Sequence, residues 1–188
     1  MRVILRTCAG REHYVDYVRG QIPNIEVCFD DRGGAMGNFI KSLEMAGDDA
    51  VINIEDDILI TENFVDKASA VINEKPDSVI QFFSMRKADK TIGSRWESGG
   101  SYLMAQCTYF PRKISKGILA YSAKYDLIDH KSHPLDSMVA DYLKVTKQKY
   151  WIHCPSLVDH RVGVSMIDPR RARTNRQSFT FENPAKEL

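Results

Sequence analysis

No stretch of this chain stays apolar for anything near the ~20 residues that cross a bilayer, so a helical membrane span is not expected. A charge excess of one sign is missing too. Lys and Arg number 26 against 25 Asp and Glu, a net charge of +1. No global field therefore draws the protein to nucleic acid or membrane, and any such attraction has to be local. Cysteine is scarce: Cys8, Cys28, Cys107 and Cys154, none at C-x-x-C spacing, which argues against a zinc knuckle or a thioredoxin-type motif. Three of the four stand in apolar, strand-like runs and read as small buried hydrophobes in a reducing compartment. The opening MRVILRTCAG has only three consecutive apolar residues, too few for a secretory signal. The expectation is a cytoplasmic protein, mature from Met1. Internal repeats and low-complexity linkers are also lacking, and 188 residues suit one domain with a sizeable core.

What is present alternates. Arg2 to Thr7 is short, apolar and β-branched, a buried strand. Glu12 to Gly20 has helical spacing and ends on glycine. Asn24 to Phe29 is a second strand running into Asp30-Asp31, and Asn38 to Ala46 a second helix stopped by Gly47. Ala50 to Ile54 is a third strand. Strands alternating with helices predict an α/β protein with a central, mostly parallel sheet flanked by helices, Rossmann-like. Further on, Asn63 to Asn73 reads as a helix, Ser78 to Ser84 and Tyr102 to Phe110 as strands. Lys113 to Tyr121 and Pro134 to Val145 read as helices, and Lys149 to Cys154 as a last strand. Residues 85–101, polar and glycine-containing, are expected to form the longest loop, where Trp96 beside Arg95 would stack on a ligand or stand exposed.

In open α/β sheets ligands bind beyond the carboxyl ends of the strands. Asp30, Asp31 and the triplet Glu55-Asp56-Asp57 fall at those ends. Three unpaired carboxylates in one place raise one another's pKa and oppose folding. A divalent cation removes that cost, and hard oxygen ligands suit Mg²⁺ or Mn²⁺ shared with substrate phosphates. The triplet thus reads as a metal–diphosphate site, against the plainer alternative of a solvated acidic turn. Arg6, Thr7 and Asp30 or Asp31 stand where the first two strands would present groups to a base and ribose.

The order of these features resembles the GT-A fold nucleotide-sugar glycosyltransferases. The strand–EDD–apolar step of residues 50–64 resembles their DxD-type signature. PSLVDHRVGVS, residues 155–165, resembles a late segment whose histidine, here His160, is often a further metal ligand; one extra residue separates it from Gly163. PLDSMVADYL, residues 134–143, resembles the helix whose leading acid is the base in inverting members. The resemblance implies a domain over residues 1–165 and a basic tail over 166–188. It implies Mn²⁺ or Mg²⁺ and a nucleoside diphosphate sugar, a UDP-sugar first, as donor. Asp57 and His160 would hold the metal. Arg6, Thr7, Asp30, Asp31, Glu55, Asp56 and Arg161 would hold the donor. Asp136, with Asp141 second, would be the catalytic acid–base group; in the first turn of a helix Asp136 also suits the helix dipole. Arg170, Arg171, Arg173 and Arg176 form a local basic patch that would contact DNA phosphates, clamp a diphosphate or simply be solvated. Some phage enzymes of this general fold glycosylate hydroxylated bases in DNA, and that acceptor stands ahead of a surface glycan; a phage enzyme would work in the host cytoplasm. Two rival classes are a metal-dependent nuclease or phosphotransferase, which lacks the expected E-x-K here, and a non-catalytic nucleotide- or nucleic-acid-binding module.

Overall fold

A computed structural model describes residues 1–31, 34–125, 134–162 and 176–185. Arg170, Arg171 and Arg173, and most of the tail, lie outside them. The main sheet has seven strands: β1 (Arg2–Thr7), β2 (Glu26–Phe29), β3 (Val51–Glu55), β5 (Val79–Gln81), β6 (Arg95–Ser98), β7 (Cys107–Phe110) and β8 (Lys149–Ile152). Their spatial order is β2-β1-β3-β7-β5-β8-β6. β1 is parallel to β2 and β3, and β5 to β8, while β7 is antiparallel to β3 and β5 and β6 to β8. So β1, β2, β3, β5 and β8 run one way and only β6 and β7 oppose them. The α/β expectation holds, with one antiparallel strand wedged into the middle of the sheet and one at its edge.

Both faces are covered, which is why the strands read as continuous apolar runs. Leu5, Ile52, Ile54, Ile80 and Tyr109 pack with α1 (Glu12–Gln21) and α3 (Phe64–Glu74). Their strand neighbours Ile4, Val51, Val79, Phe110 and Tyr150 face α2 (Ala35–Ala46), α5 (Arg112–Ser122) and α6 (Pro134–Val145). The period-two alternation of a strand sends adjacent residues into the two cores. Each fully buried Leu, Ile or Phe contributes roughly 1.5–3 kcal/mol. α2 ends where Gly47 takes φ 60°, a left-handed conformation that glycine adopts without a Cβ clash.

Residues 85–101 are not a long loop. They hold a single helical turn, α4 (Asp89–Ile92), then the edge strand β6 and a 3₁₀ turn at Gly99–Ser101. Trp96 lies on β6, packed edge-on against Trp151 with ring centroids 5.3 Å apart. That places it four strands from β3, about 19 Å at the usual strand spacing. Two further strands are too short to read from sequence. β4 (Ile58–Ile60) pairs antiparallel with β9 (Val158–His160), Ile58 opposite His160. Residues 176–185 return to this small sheet: the Ala185 N–H donates to the Ile60 carbonyl at 2.7 Å, and Glu62 N–H to Asn183 at 3.0 Å.

Candidate active site

The parallel strands β1, β2 and β3 all end at one edge of the sheet, at Thr7, Phe29 and Glu55. Beyond β3 the chain turns through Asp56 and Asp57 into β4. Pairing of β4 with β9 then carries His160 to the acids from a hundred residues downstream, and the Arg161 N–H donates to the Asp57 carbonyl at 2.8 Å.

His160 and Asp57 face one another. His160 Nδ1 lies 2.7 Å from the Arg161 carbonyl oxygen. A carbonyl only accepts, so Nδ1 carries a proton, and Nε2 is the ring nitrogen left to offer a lone pair to a cation. Nε2 is 3.5 Å from Asp57 Oδ2, and the two side chains are 4% and 15% exposed. Asp57 Oδ1 is buried and has no hydrogen-bond partner among the described residues. A buried carboxylate oxygen left unpartnered is costly, and a cation is the simplest group that would satisfy it.

Asp56 is fastened from two sides. Thr7 Oγ1 donates to its Oδ2 at 2.6 Å, and Arg11 Nη1 donates to its Oδ1. Burial pushes the Asp56 carboxyl above its ordinary pKa, with the Thr7 and Arg11 contacts pulling the other way. Arg11 Nη1 also lies 3.2 Å from Asp57 Oδ2. Burial works against the guanidinium charge, but Asp57 and Asp56 outweigh it and hold Arg11 more firmly protonated than usual. Sequence reasoning missed Arg11. Its only signal was a basic residue just after Gly10, in the loop that leaves the carboxyl end of β1.

Glu55 accepts from Arg6 Nη2 at 3.0 Å. Burial raises its pKa, opposed by Arg6 and reinforced by the charges of Asp57 and Asp136. Asp136, in the first turn of α6, also acts on the Tyr102 hydroxyl. The leading acid of that helix is thus near enough to Glu55 for its charge to be felt there. Asp141 is not: five residues on, about 140° round the helix, it accepts from the Tyr125 hydroxyl at 3.2 Å.

The other expected donor contacts separate in the same way. Arg6 is buried inside the sheet, where it donates to Asn53 Oδ1 at 2.5 Å and the Ala105 carbonyl at 3.0 Å and lies over the Phe39 ring. Its geometry serves Glu55 rather than an open cleft. Asp30 and Asp31 stand at the end of β2, two strands from β3. Asp30 accepts the Gly34 N–H at 2.8 Å, and Asp31 pairs with Lys41 at 2.6 Å. Arg161 donates Nε to the Ile58 carbonyl at 3.1 Å and stacks on Tyr17, 4.4 Å from the ring centre. Arg176 is partly buried, with a buried Nε.

Asp57 and His160 are suitable metal ligands. The histidine is oriented by a backbone carbonyl at its second nitrogen, as ligating histidines usually are, and an imidazole in the set favours Mn²⁺ over the harder Mg²⁺. Among the described residues no three His, Cys, Asp or Glu side chains form a complete cage. A cation that finishes its shell with substrate phosphates needs only one or two protein ligands, so the donor set fits.

No protein-family model and no curated protein matches the chain. Among solved structures it is similar to the crystal structure of A197 from STIV, with TM-score 0.54 and 15% identity over 100% of this chain and 98% of that one. Apo UDP-glucose pyrophosphorylase follows with TM-score 0.46 and 10% identity over 81% and 72% of the two chains. The same kind of enzyme complexed with UDP-glucose gives 0.45 and 10% over the same shares. The first likeness speaks to the fold alone, and the other two are too loose to argue from.

Proposed function

We propose that this protein is a metal-dependent glycosyltransferase of GT-A type that moves a sugar from a nucleoside diphosphate sugar, a UDP-sugar first, to a hydroxyl acceptor. The observation that carries the reading is the Asp57–His160 pair. The β4–β9 pairing holds His160 Nε2 3.5 Å from Asp57 Oδ2, and the other oxygen of that carboxylate, Oδ1, is buried with no hydrogen-bond partner among the described residues, at the end of an acidic triplet on the carboxyl edge of an α/β sheet.

When bound, Mn²⁺ or Mg²⁺ would neutralise the leaving diphosphate as a Lewis acid. The chain's own residues do the rest. Asp57 and His160 hold the cation, and Thr7 and Arg11 keep Asp56 fixed beside it. Glu55, steadied by Arg6, faces the sugar hydroxyls. In an inverting transfer the acceptor oxygen bonds to the anomeric carbon as the bond to the diphosphate breaks. The electron pair leaves with the diphosphate, and the acceptor proton passes to Asp136. A hydroxylated base in DNA leads as acceptor, with a glycan second.

Thermal melting with Mn²⁺ against a panel of nucleotides and nucleotide sugars tests this. A ligand at 100 times its Kd adds about 2.7 kcal/mol, roughly 5–11 °C for a chain of this size. The expected result is a shift that needs both Mn²⁺ and one nucleoside diphosphate and is lost in Asp57→Ala, which keeps its far-UV spectrum. Transfer of labelled sugar to hydroxymethylated DNA or to glycans then names the acceptor. No nucleotide shift, with stabilisation by DNA alone, refutes the transferase and favours a binding module or nuclease.

A further inference from the structure

The acidic triplet already has a cation. Arg11 Nη1 contacts both Asp56 Oδ1 and Asp57 Oδ2, the latter at 3.2 Å. The same Asp57 Oδ2 is the oxygen 3.5 Å from His160 Nε2. A divalent ion bound by Asp57 and His160, at ~2.0–2.2 Å from each ligand atom, would therefore lie within a few ångströms of the guanidinium. Two like charges at that distance in a half-buried setting repel strongly. The Arg11 side chain is only 13% exposed, so solvent does little to screen them.

We infer that Arg11 is the resident counter-ion of Asp56 and Asp57 in the ligand-free protein, and that it leaves Asp57 for the donor's diphosphate when the metal enters. This rests on the proposed metal site. A guanidinium released from a carboxylate matches a phosphate equally well, because its planar fork presents paired N–H donors to either. The guanidinium also lies over Tyr14, 5.6 Å from the ring centre, and that ring is approached by Arg161 at 5.4 Å. Metal alone must displace Arg11 from Asp57 and leaves it Asp56 as its one carboxylate of the pair. Metal with diphosphate supplies the new partner. The two ligands are then coupled, and by linkage each strengthens the other by the same factor.

Titration calorimetry of Mn²⁺ into the whole protein, with and without UDP, reads this directly. In the natural protein UDP should tighten Mn²⁺ binding by about tenfold or more. Arg11→Gln should bind Mn²⁺ alone about tenfold more tightly than the natural protein, and its gain from UDP should shrink. Arg11→Met, which also removes the charge and keeps a long stem, should behave as the glutamine variant does; it decides the matter if Arg11→Gln does not fold. Mn²⁺ binding alone that is no tighter in Arg11→Gln, or in Arg11→Met where that is the variant measured, overturns the inference while leaving the metal site standing. Absence of Mn²⁺ binding in the presence of UDP, or binding unchanged in Asp57→Ala, overturns the metal site and this inference with it.

Discussion

Thr7→Val probes the floor of the site without touching a proposed ligand of the metal. The substitution keeps volume and β-branching and removes one hydroxyl. That hydroxyl donates to Asp56 Oδ2 at 2.6 Å, and both residues are under 5% exposed. A buried hydrogen bond to a charged group contributes about 1.5–3 kcal/mol, and no screening discount applies at this exposure. Taking about 2 kcal/mol, the melting temperature should fall by about 4–8 °C, read by calorimetry on the metal-free protein. The pH dependence gives a second readout. Burial already raises the Asp56 pKa in the folded state, and the Thr7 bond opposes that rise by stabilising the charged form. Valine lets the pKa climb further. A carboxyl raised in the folded state costs stability above its folded pKa, and the cost fades as pH falls through that value. The difference between variant and natural protein should thus be widest near neutral pH and narrow on acidification. A melting shift under about 1 °C at neutral pH, or a difference that widens in acid, would refute the account of Asp56 as a buried charge pinned by Thr7.

Asp136→Asn should lower kcat by about 10²–10⁴-fold and leave UDP–Mn²⁺ binding unchanged; steady-state kinetics with unchanged kcat would remove it as the base. Trp96→Ala should leave donor and metal binding within about twofold while lowering stability by about 1 kcal/mol, the worth of its ring contact with Trp151. A large loss of donor affinity in titration would instead make the β6 edge part of the binding site. Gly99→Ala should destabilise by about 1–3 kcal/mol in chemical denaturation, because a Cβ there would stand 2.5 Å from both the Gln148 carbonyl oxygen and Leu143 Cβ; an unchanged midpoint would mean that the end of α6 gives way freely.

Elements whose stability is local were legible in the sequence. The helix Pro134–Val145 carries its own periodicity, and the strands of the first half are apolar on both faces. What could not be read depends on distant pairing. β4 and β9 are three residues each, too short to show a period, and each exists because the other supplies its hydrogen bonds from a hundred residues away. β6 alternates half-buried and exposed residues, Arg95-Trp96-Glu97-Ser98, as an edge strand does, and that composition mimics a polar loop. The strand order is equally non-local, since β7 enters between β3 and β5 antiparallel to both.

The same distinction explains the site. Glu55, Asp56 and Asp57 were visible because one strand end carries all three, but what each one does is set by groups from other elements. Arg6 from β1 steadies Glu55. Thr7 and Arg11, flanking the exit from β1, hold Asp56. His160 reaches Asp57 only through β9, and β9 is itself tied down from the C-terminal segment, where the Ser178 N–H donates to Asp159 Oδ1 at 2.6 Å and the same oxygen accepts the His160 N–H at 2.9 Å. Three adjacent acids with one environment would titrate together and repel. The three acids here have three settings: Glu55 is braced by Arg6, Asp56 is pinned by Thr7 and Arg11, and Asp57 shares Arg11 through Oδ2, which also faces His160, while its Oδ1 is buried with no hydrogen-bond partner among the described residues. That third arrangement is the one a structural role leaves unexplained, because an acid that only closed a turn would have its oxygens in water or in hydrogen bonds.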